Sequence, residues 1–167
     1  GIAPRAFGMI FREMGMPPGF SDHVLSPLRD SSCSLRTAFG LAEPFGRANG
    51  IPQGDCLAVT LSLLYLDPLV TALHELREEF GHGPAGARQS VLAQADDVTA
   101  LSGSVEGITR MLDVCCEWCR DVGATLNPTK TVWLYRGPPA ALPDTITSGS
   151  VCIRRVDSAK LLGVLFS

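Results

Sequence analysis

The sequence is poor in charged residues and in aromatic side chains. Charged residues make up 19% and aromatic residues 7% of the 167 positions, and lysine occurs only as Lys130 and Lys160. The formal net charge of −3 does not indicate nucleic-acid binding by overall electrostatics, so any site for a polyanion must be local. From Lys130 to Lys160 inclusive, five basic residues outnumber two acidic ones, which indicates either such a local site or a solvated face.

The sequence also has no long uninterrupted apolar run. Its most apolar region, residues 56–76, contains Asp67, Pro68 and several other polar residues, which favours a buried helix over a bilayer span. The chain starts at Gly1 with neither a methionine nor a basic leader before an apolar stretch, so we expect no signal peptide and interpret Gly1 as a cut edge.

No internal repeat or low-complexity tract is present. Hydrophobic residues account for 46% of the chain, together with 17 glycines and 12 prolines, a composition typical of a folded chain with many loops and not of a disordered one. At this length we expect one domain.

Six cysteines without a secretory signal favour reduced thiols over a disulfide framework. Three of them, Cys115, Cys116 and Cys119, form the segment CCEWC, which has neither a second cysteine pair nor a nearby histidine. On a helix, Cys115 and Cys119 share a face with apolar neighbours, so the segment indicates a core stripe. The alternative is a thiol-rich metal protein, which would contain zinc.

Turn formers and periodicity predict the elements of the first half. Residues 4–30 read as two short helices broken between Gly15 and Pro18. Residues 33–40 read as a strand in which Leu35, Thr37 and Phe39 alternate with Ser34, Arg36 and Ala38. A long helix is expected to start near Asp55, which would cap it, and Pro68 is expected to kink or divide that helix.

The sequence pattern of the second half predicts several strands and one amphipathic helix. Strands are expected at residues 89–94 and 98–102, then a helix from Val105 to Val122 that ends at Gly123. Further strands are expected at the segments TVWLY, SVCIRRV and KLLGVLF. Because the strands mostly neighbour each other through hairpins while helices pack on one side, the fold class is α+β.

Two adjacent carboxylates, Asp96 and Asp97, lie between two short apolar runs in the segment QADD. If the flanking strands form an antiparallel hairpin, Asp96 lies at its tip and Asp97 starts the return strand. Like charges this close disfavour each other's ionised form unless a cation compensates them. Mg²⁺ suits such a pair, because hard divalent ions bind carboxylate oxygens and keep waters for a phosphate-bearing substrate. The alternative is ordinary turn chemistry.

Four segments resemble the palm region of reverse transcriptases, most like those of non-LTR retrotransposons. They are NGIPQGDCLAVTLSLLYLDPL, QADD, GATLNPTKT and VDSAKLLGVLF, in the family's order. Residues 1–49 resemble the helices and strands that lead into the Pro-Gln-Gly loop. The resemblance therefore implies one partial domain over 1–167, with the lead-in at 1–49, a palm core at 50–135 and a C-terminal hairpin at 136–167. It also implies an antiparallel sheet with helices packed on one face.

The resemblance implies template-directed nucleotide addition, in which a primer 3′-hydroxyl attacks the α-phosphate of a deoxynucleoside triphosphate and pyrophosphate leaves. Asp96 and Asp97 match the family's metal-coordinating pair, and two Mg²⁺ or Mn²⁺ ions about 3.5–4 Å apart would stabilise the attacking and leaving oxygens. Lys130 matches the lysine that protonates or neutralises pyrophosphate. Asn127 would hold the preceding turn through its side chain.

The remaining matches concern the nucleic acid, for which an RNA template and a DNA primer are the implied partners. Pro52, Gln53 and Gly54 match the loop beneath the incoming nucleotide and the template base, where glycine admits close backbone approach. Leu162 and Gly163 match the hairpin that supports the primer strand.

Two departures from the family pattern qualify this interpretation. The family's third essential carboxylate belongs to an upstream motif, Phe-x-Asp followed by Ala-Phe-Asp, which is absent from these residues, as are the fingers residues further upstream. We therefore expect the chain by itself to be inactive. Gln94 also replaces the usual aromatic, commonly tyrosine, before Ala-Asp-Asp, as a degenerate copy of the element would, although both carboxylates are retained.

Two hypotheses follow for the function. The chain is part of the RNA-directed DNA polymerase of a retrotransposon, or it is a catalytically silent relic that binds nucleic acid or protein at most. Both imply an intracellular protein without a membrane segment, in the nucleus or the cytoplasm.

Overall fold

The structure is a computed structural model that describes residues 4–29, 32–46, 57–95, 97–138, 141–161 and 164–166. The described part contains five helices and eleven short strands, so it belongs to the α+β class. The helices are α1 (Pro4–Glu13), α2 (Pro18–Arg29), α3 (Ala58–Glu75), α4 (Arg77–Phe80) and α5 (Val105–Val122). The strands are β1 (Ser32–Cys33), β2 (Arg36–Thr37), β3 (Gly40–Leu41), β4 (Phe45–Gly46), β5 (Val91–Gln94), β6 (Asp97–Ala100), β7 (Val132–Leu134), β8 (Thr145–Ser148), β9 (Val151–Val156), β10 (Ala159–Leu161) and β11 (Val164–Phe166).

The chain forms two compact units. The first comprises Gly1–Pro68 with Val122–Ala124, and the second comprises Leu69–Asp121 with Thr125–Ser167. Within the described ranges, no helix has the length and the apolar character that crossing a bilayer requires.

Aromatic packing holds the helices of the first unit together. Phe7 and Phe11 of α1 are almost fully buried, as is Leu25 of α2. The ring of Phe7 lies 6.0 Å from that of Phe11 and 5.8 Å from that of Tyr65 on α3, centroid to centroid. Tilted pairs at this separation stabilise a core beyond the area they bury.

The predicted break between the first two helices is confirmed, and its geometry is a Schellman motif. The Gly15 amide donates to the Arg12 carbonyl and the Met16 amide to the Phe11 carbonyl, both at 2.9 Å. Gly15 has φ = +70°, a left-handed conformation that glycine adopts without strain. Helix α2 then begins at Pro18, whose fixed φ suits a first helical turn.

The single strand predicted over residues 33–40 is wrong, because the chain reverses direction at Ala38 and Phe39. Thr37 pairs with Gly40, and the Thr37 hydroxyl accepts from the Phe39 amide at 3.1 Å and donates to the Gly40 carbonyl at 2.9 Å. Since Phe39 lies in the turn and is fully exposed, its place in the alternating pattern was coincidental.

Helix α3 continues through Pro68, so this residue does not divide the helix, and of the predicted kink or division only the kink stays a prediction. The helix ends at Glu75, and the break before α4 falls at Leu76. Pro68 is exposed while Leu69 and Leu73 are buried, so the proline lies on the solvent side of the helix. Helix α3 is described from Ala58, and Asp55, the predicted cap, lies outside the described residues.

Helix α5 has the predicted bounds and covers a small sheet in the second unit. The Ser104 hydroxyl accepts from the Gly107 amide at 3.0 Å, which is an N-cap bond. Leu112 packs in a buried cluster with Trp133 of β7, Ile146 of β8 and Ile153 of β9. Apolar packing on one face of the sheet therefore holds these elements in place.

Strand pairing corrects the predicted sheet. In the three-stranded sheet β7-β9-β8, β7 runs parallel to β9, whereas the prediction was an antiparallel sheet throughout. The other described strands form four separate antiparallel pairs. Strand β8 was not predicted. The apolar pattern of KLLGVLF predicted one strand, but β10 and β11 pair there, as the hairpin implied by the resemblance requires.

Gly107 provides a test of the packing of α5. A Cβ at Gly107 would lie 2.7 Å from the Cβ of Phe80 and would overlap the Ser102 hydroxyl, whereas a Cβ at Gly8 in α1 would meet nothing within 4 Å. Gly107→Ala should therefore lower the free energy of unfolding by about 1–3 kcal/mol. Gly8→Ala should raise it by up to about 1 kcal/mol through helix propensity. Urea unfolding followed by circular dichroism measures both, and equal shifts in the two variants would contradict the tight contact.

Candidate active site

The carboxylates Asp96 and Asp97 belong to the β5–β6 hairpin, which has a fixed register. Val91 pairs with Ala100 and Gln94 with Asp97, so two residues connect the strands. The first of them, Ala95, has φ = +51°, the left-handed region that tight two-residue hairpins use at this position. The predicted hairpin is present, with bounds shifted by one or two residues.

Asp97 is the first residue of β6 and is exposed, whereas Asp96 lies outside the described residues. Directly opposed residues of an antiparallel pair project to the same face, so Asp97 shares its face with Gln94. The next pair on that face is Leu92 and Thr99. An exposed carboxylate of this kind can take a hydrated hard cation, because its oxygens need not give up buried partners.

The base of this hairpin is buried, and backbone hydrogen bonds continue beyond the ends of the two strands. The Leu101 amide donates to the Ser90 carbonyl at 2.7 Å, and His82 and Gln89 exchange two backbone hydrogen bonds of 2.8 and 2.9 Å. Ser90 is 0% exposed and Val91 is buried. The strands are thus anchored by burial at one end, and Asp97 lies at the other, solvent-exposed end.

Lys130 is exposed and follows a turn that Asn127 organises. The Asn127 side-chain oxygen accepts from the Thr129 amide at 3.0 Å and from the Thr129 hydroxyl at 2.7 Å. Its backbone carbonyl accepts from the amides of Lys130 and Thr131 at 3.2 and 2.9 Å. The predicted role of Asn127 in this turn is confirmed, while the catalytic role of Lys130 stays a prediction.

Several predicted site residues lie outside the described part of the chain. These are Pro52, Gln53 and Gly54 of the predicted nucleotide loop, and Leu162 and Gly163 of the predicted primer support. The residues on either side of the last pair, Leu161 and Val164, are paired across β10 and β11. A hairpin therefore flanks the predicted primer-support position.

A further polar group, centred on Arg155, was not anticipated from the sequence. Its guanidinium donates to the Asp144 carboxylate at 3.0 Å and to the Leu142 carbonyl at 3.1 Å, and it lies 6.0 Å from the centroid of the Trp133 ring. Arg154, its neighbour on β9, is exposed. The sequence did contain a clue, which was the adjacent pair Arg154-Arg155. Because adjacent strand residues point to opposite faces, the two arginines cannot both lie on the same face of the sheet. Arg155 therefore adds little to any local basic surface.

The cysteines of α5 lie in a packed environment that disfavours the thiolate. Burial raises the pKa of Cys115 to about 12, with smaller contributions from Cys119 and Cys116. Burial also raises the pKa of Cys119, and the neighbouring Cys116 makes a smaller contribution in the same direction. Among the described residues, no three His, Cys, Asp or Glu side chains form a metal-binding group. The helix thus uses its thiols as apolar packing groups.

A family model described as reverse transcriptase (RNA-dependent DNA polymerase) matches residues 15–166 of the chain. No curated protein matches the chain at a significant level. The family match contains all four segments whose motifs indicated this resemblance. The residue pattern Phe20-Ser21-Asp22 has the form Phe-x-Asp, but it lies in helix α2 and not on a strand.

The buried thiols generate a prediction about reactivity. In the folded protein at pH 8, iodoacetamide should modify the exposed Cys152 at least about tenfold faster than Cys115, because the raised pKa of Cys115 suppresses its thiolate. Peptide mass spectrometry at successive times measures the two rates. Comparable rates in urea provide the control, and comparable rates in the folded state would contradict the packing of Cys115.

The turn at Ala95 generates a second prediction. A β-branched side chain is strongly disfavoured at positive φ, so Ala95→Val should lower the free energy of unfolding by about 1–2 kcal/mol. Ala93→Val, on an exposed strand position of the same hairpin, should change it by less than about 0.5 kcal/mol. Thermal unfolding by circular dichroism compares the two, and an equal effect would rule out the left-handed turn.

Proposed function

Because the chain belongs to the reverse transcriptase (RNA-dependent DNA polymerase) family, we propose that it forms part of the palm of a retrotransposon RNA-directed DNA polymerase of the non-LTR type. The observation that carries the proposal is the β5–β6 hairpin, which displays Asp97 at the start of a strand directly after Asp96. The order of the four sequence segments supports the family assignment, and their resemblance to those of non-LTR retrotransposons is the ground for the subtype.

Asp96 and Asp97 would hold the divalent cations of the reaction. The donor set fits Mg²⁺ or Mn²⁺, because carboxylate oxygens are hard ligands and Asp97 is open to a hydrated ion. When bound, such ions neutralise the charge that develops on the attacking and leaving oxygens of phosphoryl transfer. The contribution of the chain would be to hold Asp97 on a hairpin with a buried base, so that its backbone position does not depend on the ion.

Lys130 would act on the leaving group. Its ammonium is exposed at the end of a turn held by Asn127, which limits the backbone positions open to it. A cation at this point can neutralise or protonate departing pyrophosphate. Pro52, Gln53 and Gly54 would contact the nucleotide and the RNA template, and Leu162-Gly163 would support the DNA primer.

These 167 residues would be insufficient for polymerisation by themselves. They lack the combination Phe-x-Asp followed by Ala-Phe-Asp that would supply a third carboxylate, and the Phe-x-Asp pattern present is helical. Two carboxylates bind divalent ions more weakly than three, because fewer negative ligands offset the loss of bound water. We therefore propose metal binding without primer extension.

A catalytically silent relic that at most binds nucleic acid or protein is the second candidate, and Gln94 favours it. Gln94 is exposed and lies directly opposite Asp97, in the position where the family pattern has an aromatic residue. A flexible polar side chain on this face cannot pack against a primer end as a ring would. The two candidates differ in whether the carboxylates still bind a divalent ion.

Mn²⁺ binding to the purified chain, measured by electron paramagnetic resonance, tests the proposal. The chain should bind Mn²⁺ weakly, and Asp97→Asn should lower the affinity by about tenfold or more. Removal of a group that only orients a metal ligand already lowers metal affinity by that factor. The matched control is Asp121→Asn, an exposed aspartate on α5 that should leave the affinity unchanged.

The same samples test polymerisation. No extension of oligo(dT) on poly(rA) is expected with Mg²⁺ or Mn²⁺, and extension would overturn the need for a third carboxylate. Equal Mn²⁺ affinity in the Asp97 variant and the unchanged chain would overturn the metal assignment and favour the silent relic.

A further inference from the structure

A groove between α4 and α5, within the second unit, has an apolar floor. Leu76, Phe80 and Val105 line it, and each is partly buried, so apolar surface is accessible at the bottom of the groove. Its volume is about 540 Å³, within the roughly 300–1,000 Å³ of typical binding pockets. The groove therefore has room for a few side chains of another molecule.

The rim of this groove is predominantly acidic. Glu79 of α4 and Glu106 and Asp113 of α5 contribute three carboxylates, and Arg110 contributes one guanidinium. The α5 residues at 106, 110 and 113 follow the spacing that places side chains along one helix face. Carboxylates beside an accessible apolar floor complement a ligand that is both cationic and apolar.

Close backbone packing holds the groove walls in position. Gly107 brings the first turn of α5 against Phe80, where a side chain at position 107 would clash. The Phe80 carbonyl accepts from the Ser102 hydroxyl at 2.8 Å and from the Gly103 amide at 3.1 Å. A groove with fixed walls loses little conformational entropy when it is filled, which favours binding.

The charge of the rim decides among possible occupants. Phosphates of a nucleic acid would be repelled by three carboxylates, and an isolated metal ion would leave the apolar floor uncovered. A helix with lysine or arginine beside leucine-like side chains complements both the acidic rim and the apolar floor, as other helices that dock in grooves do. We propose that this groove docks a basic amphipathic helical segment of a partner protein.

Binding of synthetic peptides to the full 167-residue chain, measured by fluorescence anisotropy, tests this proposal. The first peptide places leucines on one face of a helix and lysines on the opposite face. The second replaces each lysine by glutamate, and the third keeps the lysines without leucine. The leucine–lysine peptide should bind best and lose affinity as salt rises. Equal binding of the lysine-only peptide would overturn the role of the apolar floor.

Matched charge reversals separate the groove from net charge. Glu106→Lys with Asp113→Lys should weaken binding of the leucine–lysine peptide by about tenfold or more. Glu117→Lys with Asp121→Lys, on the same helix but outside the groove, changes the net charge equally and should alter affinity by less than about twofold. Equal losses in the two double variants would overturn the groove assignment.

Amide chemical-shift mapping on the unchanged chain gives an independent readout. The leucine–lysine peptide should shift amide resonances within residues 76–80 and 105–113. Shifts concentrated elsewhere, or displacement of the peptide by single-stranded RNA, would contradict docking of a protein segment in this groove.

Discussion

The register of the β5–β6 hairpin is the constraint on which the candidate site depends. Pairing of Gln94 with Asp97 decides which face Asp97 projects from, and a slip of one residue would move it to the opposite face. The register is fixed at both ends of the strands, by the buried Ser90 and Val91 at the base and by the left-handed Ala95 at the turn. An exposed carboxylate thus gains a defined position without being buried itself.

In the second unit, the basic group at Arg155 and the carboxylates of the α4–α5 groove have different surroundings. Arg155 is held by Asp144, by a carbonyl and by the face of Trp133, so its charge is largely satisfied within the sheet. Three carboxylates and one guanidinium, that of Arg110, line the α4–α5 groove. The local basic excess seen in the sequence between Lys130 and Lys160 therefore overstates the cationic surface, and the acidic character around α5 is not apparent from the net charge alone.

Features set by neighbours in the sequence could be predicted, and features set by distant pairing could not. Helix α5 has the predicted bounds, because its apolar period and the stop at Gly123 act locally, as does the Ser104 cap that the structure adds. The parallel pairing of β7 with β9 joins residues about twenty apart and left no local pattern. The β2–β3 hairpin was missed because it depends on the Thr37 side chain, whose bonds compete with extended structure.

The two acidic features of the second unit differ in what lies beside the carboxylates. At the hairpin, Asp97 is exposed next to the polar Gln94 and follows another aspartate directly, so negative charge is concentrated where water remains available, which suits a hydrated ion. In the groove, the carboxylates are spread over two helices, with Arg110 among them and an apolar floor below. A hydrated ion would gain nothing from that floor, whereas a side chain with an apolar stem and a cationic end would bury the stem and keep its charge at the rim. The same residue types therefore favour different ligands, because solvation and spacing differ at the two places.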